Sequence, residues 1–177
     1  MITVVSDTHG TDGHRLEGQT LTAVREASLV VHAGDFTTGA VLDAFESEAR
    51  ANAPDNRFVA VWGNNDGTDV RRRLGARAVV NHAGVRLVVV HGHEHDGTSL
   101  SLLGRQEEAD LVVVGHSHDP EVDRTGPVTV LNPGSHADPR WYRPAHAELE
   151  PAADGLDGRL VTPDGEVFER FGVSPRE

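Results

Sequence analysis

The chain has 177 residues, 37% of them apolar, with 28 acidic side chains against 16 basic ones and a formal net charge of -12. That length and apolar content fit a single domain, taken as residues 1–177, with one sizeable core. The acidity disfavours association with nucleic-acid backbones, duplexes above all, and the absence of cysteine excludes disulfides, thiolate metal sites and a cysteine nucleophile.

Apolar runs alternate with amphipathic stretches. Met1–Ser6 reads as a buried strand, and His14–Ala27 as a helix with Leu16, Thr20, Ala23, Val24 and Ala27 at helical spacing. Leu29–His32 is a strand, Gly39–Arg50 a helix with Val41, Leu42, Phe45 and Ala49 on one face, and Arg57–Trp62 a strand. Val70–Gly75 is a short helix that stops at its glycine. Ala78–His82 and Val85–His91 form a hairpin around Ala83–Gly84. Thr98–Ala109 is a helix with Thr98 as N-cap, and Leu111–Gly115 is a strand. Beyond Pro120 the texture turns to β: Pro120–Asp123 and Val128–Leu131 flank the turn Arg124–Pro127, and Ala145–Leu149, Arg159–Thr162 and Glu166–Phe171 follow. Glu150–Asp157 reads as a flexible acidic loop and Pro163–Gly165 as a tight turn. The longest apolar runs, Leu87–Val90 and Leu111–Val114, are far too short to span a bilayer. The N-terminus enters a strand with no secretory h-region. The expected location is the cytoplasm. Strand–helix alternation followed by strands implies a layered α/β fold, with ligands gathered at the carboxyl ends of strands.

Five polar clusters sit at strand ends. They are Ser6-Asp7-Thr8-His9-Gly10, Ala33-Gly34-Asp35, Gly63-Asn64-Asn65-Asp66, His91-Gly92-His93 and Gly115-His116-Ser117-His118. Each alone is an ordinary turn. If the strands are neighbours, Asp7, His9, Asp35, Asn64, His91, His116 and His118 converge on one rim. Divalent cations would account for such a cluster, because they offset carboxylate repulsion and take up imidazole lone pairs.

In order and spacing these motifs resemble the calcineurin-like metallophosphoesterase superfamily, and within it the small, single-domain, YfcE-like microbial phosphodiesterase branch. Asn132-Pro133-Gly134-Ser135 is similar to that branch's closing motif. The resemblance runs from Ile2 to about Ser135. It implies a four-layer α/β sandwich of two mixed β-sheets flanked by helices. It also implies two divalent transition-metal ions, manganese foremost, with nickel, iron or zinc as alternatives. Asp7, His9, Asp35 and His118 would hold one ion, and Asp35, Asn64, His91 and His116 the other, with Asp35 bridging through its two oxygens. The implied activity is hydrolysis of a small phosphate ester, a phosphodiester in preference, by a metal-bridged hydroxide. The competing implication is a non-catalytic assembly scaffold like the retromer subunit of this fold. The sequence leaves the oligomeric state open, and a homo-oligomer is compatible with it.

The chain departs from the superfamily at Asn65, where many members carry a histidine that protonates the leaving group; an amide cannot act as a general acid. His93 is the candidate substitute, with a supporting hydrogen-bonding role as the other reading. Asp66 is expected to orient a ligand rather than to be one. His14, His32, His82, His95, His136 and His146 are expected to be structural or surface residues, Arg71-Arg72-Arg73 a solvated helix face, and Trp62 and Trp141 core or interface residues.

All sixteen basic residues are arginine, and the acidic excess is large. Together these suggest a salt-loving host, in which concentrated ions screen self-repulsion. The melting temperature is therefore expected to rise from low to molar KCl in paired thermal melts; an equal or lower value in high salt contradicts the halophilic reading.

Overall fold

Short runs rich in valine and leucine set the frame. The structure, a computed structural model, describes residues 1–176. In chain order it contains β1 (Ile2–Val5), α1 (Gly18–Glu26), β2 (Leu29–His32), α2 (Gly39–Ala49), β3 (Arg57–Ala60), α3 (Thr68–Arg71), β4 (Arg77–His82), β5 (Val85–Val90), α4 (Gly97–Gln106), β6 (Leu111–Val113), β7 (Glu121–Asp123), β8 (Thr129–Asn132), β9 (His146–Ala152), β10 (Gly155–Val161) and β11 (Val167–Val173). The strands form two mixed sheets, ordered β11-β10-β9-β1-β2-β3 and β4-β5-β6-β8-β7. In the first, β1, β2 and β3 are parallel. In the second, β5, β6 and β8 are parallel.

Alternation along each strand builds the layers. Ile2, Val4, Leu29 and Val31 of the first sheet and Leu87, Val89, Leu111 and Val113 of the second meet in one buried core. The opposite faces carry Val5 and Val30 against Val24, Val41 and Phe45 of α1 and α2. Val88 and Val112 lie against Leu103 of α4. The result is helix, sheet, sheet, helix, the expected four layers. Among the described residues no helix is long and apolar enough to cross a membrane.

Several expectations need correction. The first helix begins at Gly18 rather than His14, because the chain turns at Arg15 and Gly18, both in the left-handed region (φ 53° and 50°). The short third helix is Thr68–Arg71, since Gly75 instead bridges to Val61 as extended chain. The cap of α4 is Asp96, not Thr98. Its carboxylate accepts from Ser99 N at 2.8 Å while Asp96 N donates to Ser99 Oγ, a reciprocal capping box worth about 1 kcal/mol. Glu150–Asp157 is no loop: β9 and β10 pair there, with Glu150 opposite Asp157. The signal was the alternation of Leu156, Gly158 and Leu160, all buried, with Asp157 and Arg159, which face outward. Trp141 is 89% exposed and so belongs to no core.

One buried polar cluster ties α1 to the β9–β10 pair. Glu148 is 1% exposed. Its oxygens accept from Arg159 Nε at 2.8 Å and Gln19 Nε2 at 3.0 Å and lie 2.9 Å from His146 Nε2. His146 Nδ1 in turn meets Thr20 Oγ1 at 3.0 Å. Burial pushes the Glu148 carboxyl up, but His146, Gln19 and Arg159 outweigh it and hold the group at about 2, below its ordinary 4.5. A carboxyl depressed in the folded state adds stability that is full above its unfolded value, near 4.5, and is lost as pH falls through about 2. Urea unfolding of wild type and Glu148→Gln is therefore expected to show a gap that is widest above about pH 5 and narrows toward pH 2. A gap independent of pH would remove the ionised Glu148 from the account.

Candidate metal centre

The parallel strands of both sheets end at the same edge of the molecule. Asp7 and His9 follow β1, Asp35 follows β2 and Asn64 follows β3. His91 follows β5, and His116 and His118 follow β6. The convergence is therefore at the seam between two sheets rather than on the rim of one. The backbone there is unusual. Asp7, His9, Asp35, His116 and His118 all have positive φ, between 46° and 69°, a conformation that side-chain-bearing residues seldom adopt outside functional sites. Two glycines permit the close approach. A Cβ at Gly63 would overlap Asp35 Oδ1, and one at Gly115 would overlap Ser6 Oγ and sit 2.6 Å from Asp7 Oδ2.

One group comprises Asp7, His9 and His118. Asp7 Oδ2 is occupied, accepting from Ser6 Oγ at 2.6 Å and His116 N at 2.9 Å. Oδ1 is left 3.4 Å from His118 Nε2 and 3.8 Å from His9 Nε2. His118 Nδ1 faces the Asp138 carbonyl. A carbonyl only accepts, so the proton sits on Nδ1 and the Nε2 lone pair points inward. Asp7 Oδ1, His9 Nε2 and His118 Nε2 are buried with no hydrogen-bond partner among the described residues. Three orphaned atoms of nitrogen and oxygen type, aimed at one another, fit a divalent transition ion.

The second group comprises Asp7, Asp35 and His91, with Asn64 and His116 beside it. His91 Nδ1 donates to the Ala33 carbonyl at 2.7 Å. Its Nε2 lies 3.1 Å from Asn64 Oδ1, 3.3 Å from Asp35 Oδ2 and 4.0 Å from Asp7 Oδ1. His116 Nδ1 reaches the same Asn64 oxygen at 3.0 Å. Asp35 Oδ1 accepts from Asn65 N at 2.8 Å. Only Oδ2 faces both groups, 3.4 Å from His9 Nε2 and 3.3 Å from His91 Nε2.

Burial disfavours a charged His91, but Asp35 and Asp7 outweigh it and raise its pKa above the usual imidazole value. His9 is raised chiefly by its contact with Asp7. For Asp35, burial opposes ionisation, yet His91 and Asn65 hold the carboxyl far below the ordinary range.

Asp66 gathers three backbone N–H groups around the site. Its Oδ2 accepts from Asp35 N at 3.0 Å and Gly63 N at 2.7 Å, and its Oδ1 from Thr37 N at 2.7 Å. Arg71 is exposed, as a solvated helix face requires, but it also bonds back to the site. Its guanidinium donates to the carbonyls of Asp66, Gly63 and Asn64 and lies 4.4 Å over the Trp62 ring. It staples the loop that carries Asn64. Arg73 pairs outward with Asp43 and Glu46. Ser135 Oγ was missed; it donates to the Asp7 carbonyl at 2.7 Å. The closing Asn-Pro-Gly-Ser motif was its signal.

Asn65 turns inward, its Nδ2 2.7 Å from Asp35 Oδ2. His93 lies between Trp62, His91 and His116, with ring centroids 5.6, 5.4 and 6.2 Å away. Its Nδ1 is buried and unpartnered among the described residues, so no hydrogen bond supports the orienting role. Burial lowers its pKa. The remaining histidines lie outside both groups. His32 bonds Thr8 and stacks on Phe36, His146 belongs to the Glu148 cluster, and His136 is buried beside Phe45.

Asp66→Asn offers one acceptor oxygen to three backbone donors. The variant is expected to lose about 3 kcal/mol of unfolding free energy and roughly 10–100-fold in affinity for manganese or zinc. Chemical denaturation and calorimetric metal titration check both, and wild-type values in each would show that Asp66 does not hold the Asp35 loop.

A probable metallophosphoesterase of Methanocaldococcus jannaschii is 30% identical over 166 residues, 91% of this chain and 80% of that protein. Wild-type Vps29 of Entamoeba histolytica complexed with zinc superposes with a TM-score of 0.73 at 24% identity, covering 97% of this chain and 98% of that one. Yfce, a phosphoesterase from E. coli, superposes with a TM-score of 0.65 at 18% identity, covering 98% and 99%. These two structures share the fold. The family model described as the calcineurin-like phosphoesterase superfamily domain matches residues 1–151, and the chain belongs to that superfamily.

Proposed function

We propose that the chain hydrolyses small phosphodiesters at a centre of two divalent transition-metal ions. The observation that carries this reading is the set of orphaned, mutually facing atoms Asp7 Oδ1, His9 Nε2 and His118 Nε2 beside the Asp35–His91–Asn64 group. Asp7, His9 and His118 would hold one ion and Asn64, His91 and His116 the other, with Asp35 Oδ2 shared. The mixed nitrogen and oxygen set suits manganese first, then nickel, iron or zinc. Bound ions would supply Lewis-acid activation of water and neutralise charge on the phosphoryl oxygens.

The chain's own groups do the rest. Asp66 and the Asn65 N–H fix the Asp35 carboxylate, so that its geometry does not depend on the substrate. Arg71 fixes the carbonyls around Asn64. Asn65 has no proton to give. His93, in contact with His91 and His116, is the assigned proton donor to the departing alcohol. Diesters of acidic alcohols depart with little help, which is why a diester is preferred over an alkyl monoester. The scaffold reading, supported by the likeness to Vps29, does not explain why every candidate ligand position holds a competent side chain.

Reconstituted protein is expected to bind about two manganese ions per chain and to cleave aryl methyl phosphates. Asp35→Asn should keep the fold but bind at most one ion and lose nearly all turnover. His93→Ala should slow methyl phenyl phosphate by roughly 10²–10⁴-fold and methyl 2,4-dinitrophenyl phosphate far less. No metal-dependent cleavage of any diester would overturn the function, and an equal loss on both esters would remove His93 as the acid.

A further inference from the structure

Beside the metal centre, on the side of the second sheet, lies a cavity of about 300 Å³. It opens between α4 and the strands β6 to β8. Leu100, Val114, Val128 and Val130 supply its apolar wall, and His116 stands at its mouth. His116 thus belongs to both places, since its Nδ1 touches Asn64 Oδ1. Whatever is esterified to a phosphoryl group at the metal centre has this cavity one imidazole away.

The lining also sets what can enter. Among the described residues no arginine lines the cavity, while Glu121 and Asp123 do. Asp123 is kept ionised by Thr125, whose hydroxyl and N–H both donate to its Oδ1, at 2.7 and 2.8 Å. Two carboxylates and no cation repel a second phosphate or a carboxylate on the entering group. Polar contacts are nevertheless available. His95 lines the cavity with its Nδ1 buried and unpartnered among the described residues, and Ser101 lines it from α4. An apolar wall with a few convergent polar atoms is the usual make-up of a small-molecule site.

We infer that this cavity seats one alcohol of the substrate diester, and that this alcohol carries an uncharged ring. The inference rests on the phosphodiesterase reading for the word substrate, but the cavity itself can be tested without metal. In the metal-free chain, phenol is expected to shift the methyl resonances of Leu100, Val114, Val128 and Val130 saturably. Methanol should leave them in place, and 4-hydroxybenzoate should bind at least about tenfold more weakly. Ser101→Phe, which fills the cavity, should abolish the phenol shifts. Glu121→Arg, at an exposed rim position, should narrow the gap between phenol and 4-hydroxybenzoate.

In the manganese-loaded chain, methyl phenyl phosphate and methyl 4-carboxyphenyl phosphate have leaving groups of similar acidity. A preference of about tenfold or more for the phenyl ester, expressed in KM and reduced in Glu121→Arg, supports the assignment. Unmoved methyl resonances together with equal treatment of the two esters overturn it, while hydrolysis itself would still stand. Phenol binding without hydrolysis of any diester overturns the phosphodiesterase reading, and with it the identification of the bound ring as a substrate alcohol.

Discussion

Asp7 and Asp35 are almost wholly buried, and each offers an oxygen within 4.8 Å of the other's and of His91. Two carboxylates so placed cannot both stay ionised without positive charge between them. Much of the surrounding structure follows from that constraint. Imidazoles close the gap from both sides, and the neighbouring carboxylates raise His9 and His91. A divalent ion would bring more charge and would take the lone pairs that the hydrogen bonds of His91 and His118 to carbonyls leave facing inward.

Holding ligands in this arrangement costs backbone strain. Five of the ten positive-φ residues that are not glycine are candidate ligands, each at a cost of order 1–3 kcal/mol. The strain is sustained by bonds that lock the loops from outside. Asp7 N donates to the Gly34 carbonyl, His9 N to the Asp35 carbonyl, and Gly115 N to the His91 carbonyl. Asp66 adds three more bonds and Arg71 another three. The loops that follow β1, β2 and β3 are therefore one cross-linked body, and a change at Asp66 reaches Asp35 through its backbone N–H and the other candidate ligands through that loop.

The strand-end clusters could be read from the sequence because each breaks a run of buried valine and leucine with polar residues and glycine. Their shared order carries more information than any single one. The layers were legible for the same reason, since strand period and helix period alternate cleanly through residue 115. The tail was misread around Glu150–Asp157 because charge and Pro151 suggested a loop, while the alternation of Leu156, Gly158 and Leu160 was overlooked. Arg71 was lost among three consecutive arginines. Which of the three turns back onto the Asn64 loop depends on where α3 begins, and composition gives no hint of that. The two bonds from Asn65 to the Asp35 carboxylate are equally invisible in the sequence, because they depend on how the loop after β3 turns.

The two sheets divide the work of the site. The first supplies both carboxylates, the Asn64 amide and His9; the second supplies His91, His116 and His118. The cavity beside His116 is built only from residues between Gly92 and Asn132, all on the second sheet or its flanking elements. Substitutions along its wall at Leu100, Ser101, Val128 or Val130 therefore do not touch the cross-linked loops that hold Asp7 and Asp35. With its neighbour Gly115, His116 has a place in both. It is also one of the less buried of the candidate ligands, and its φ of 69° makes it the most displaced from ordinary backbone among them. A change in the cavity that moves β6 by a fraction of an ångström would be felt at the metal centre through His116 first, and through Asn64 Oδ1 next. The cavity wall can thus vary on the second sheet while both carboxylates stay anchored on the first.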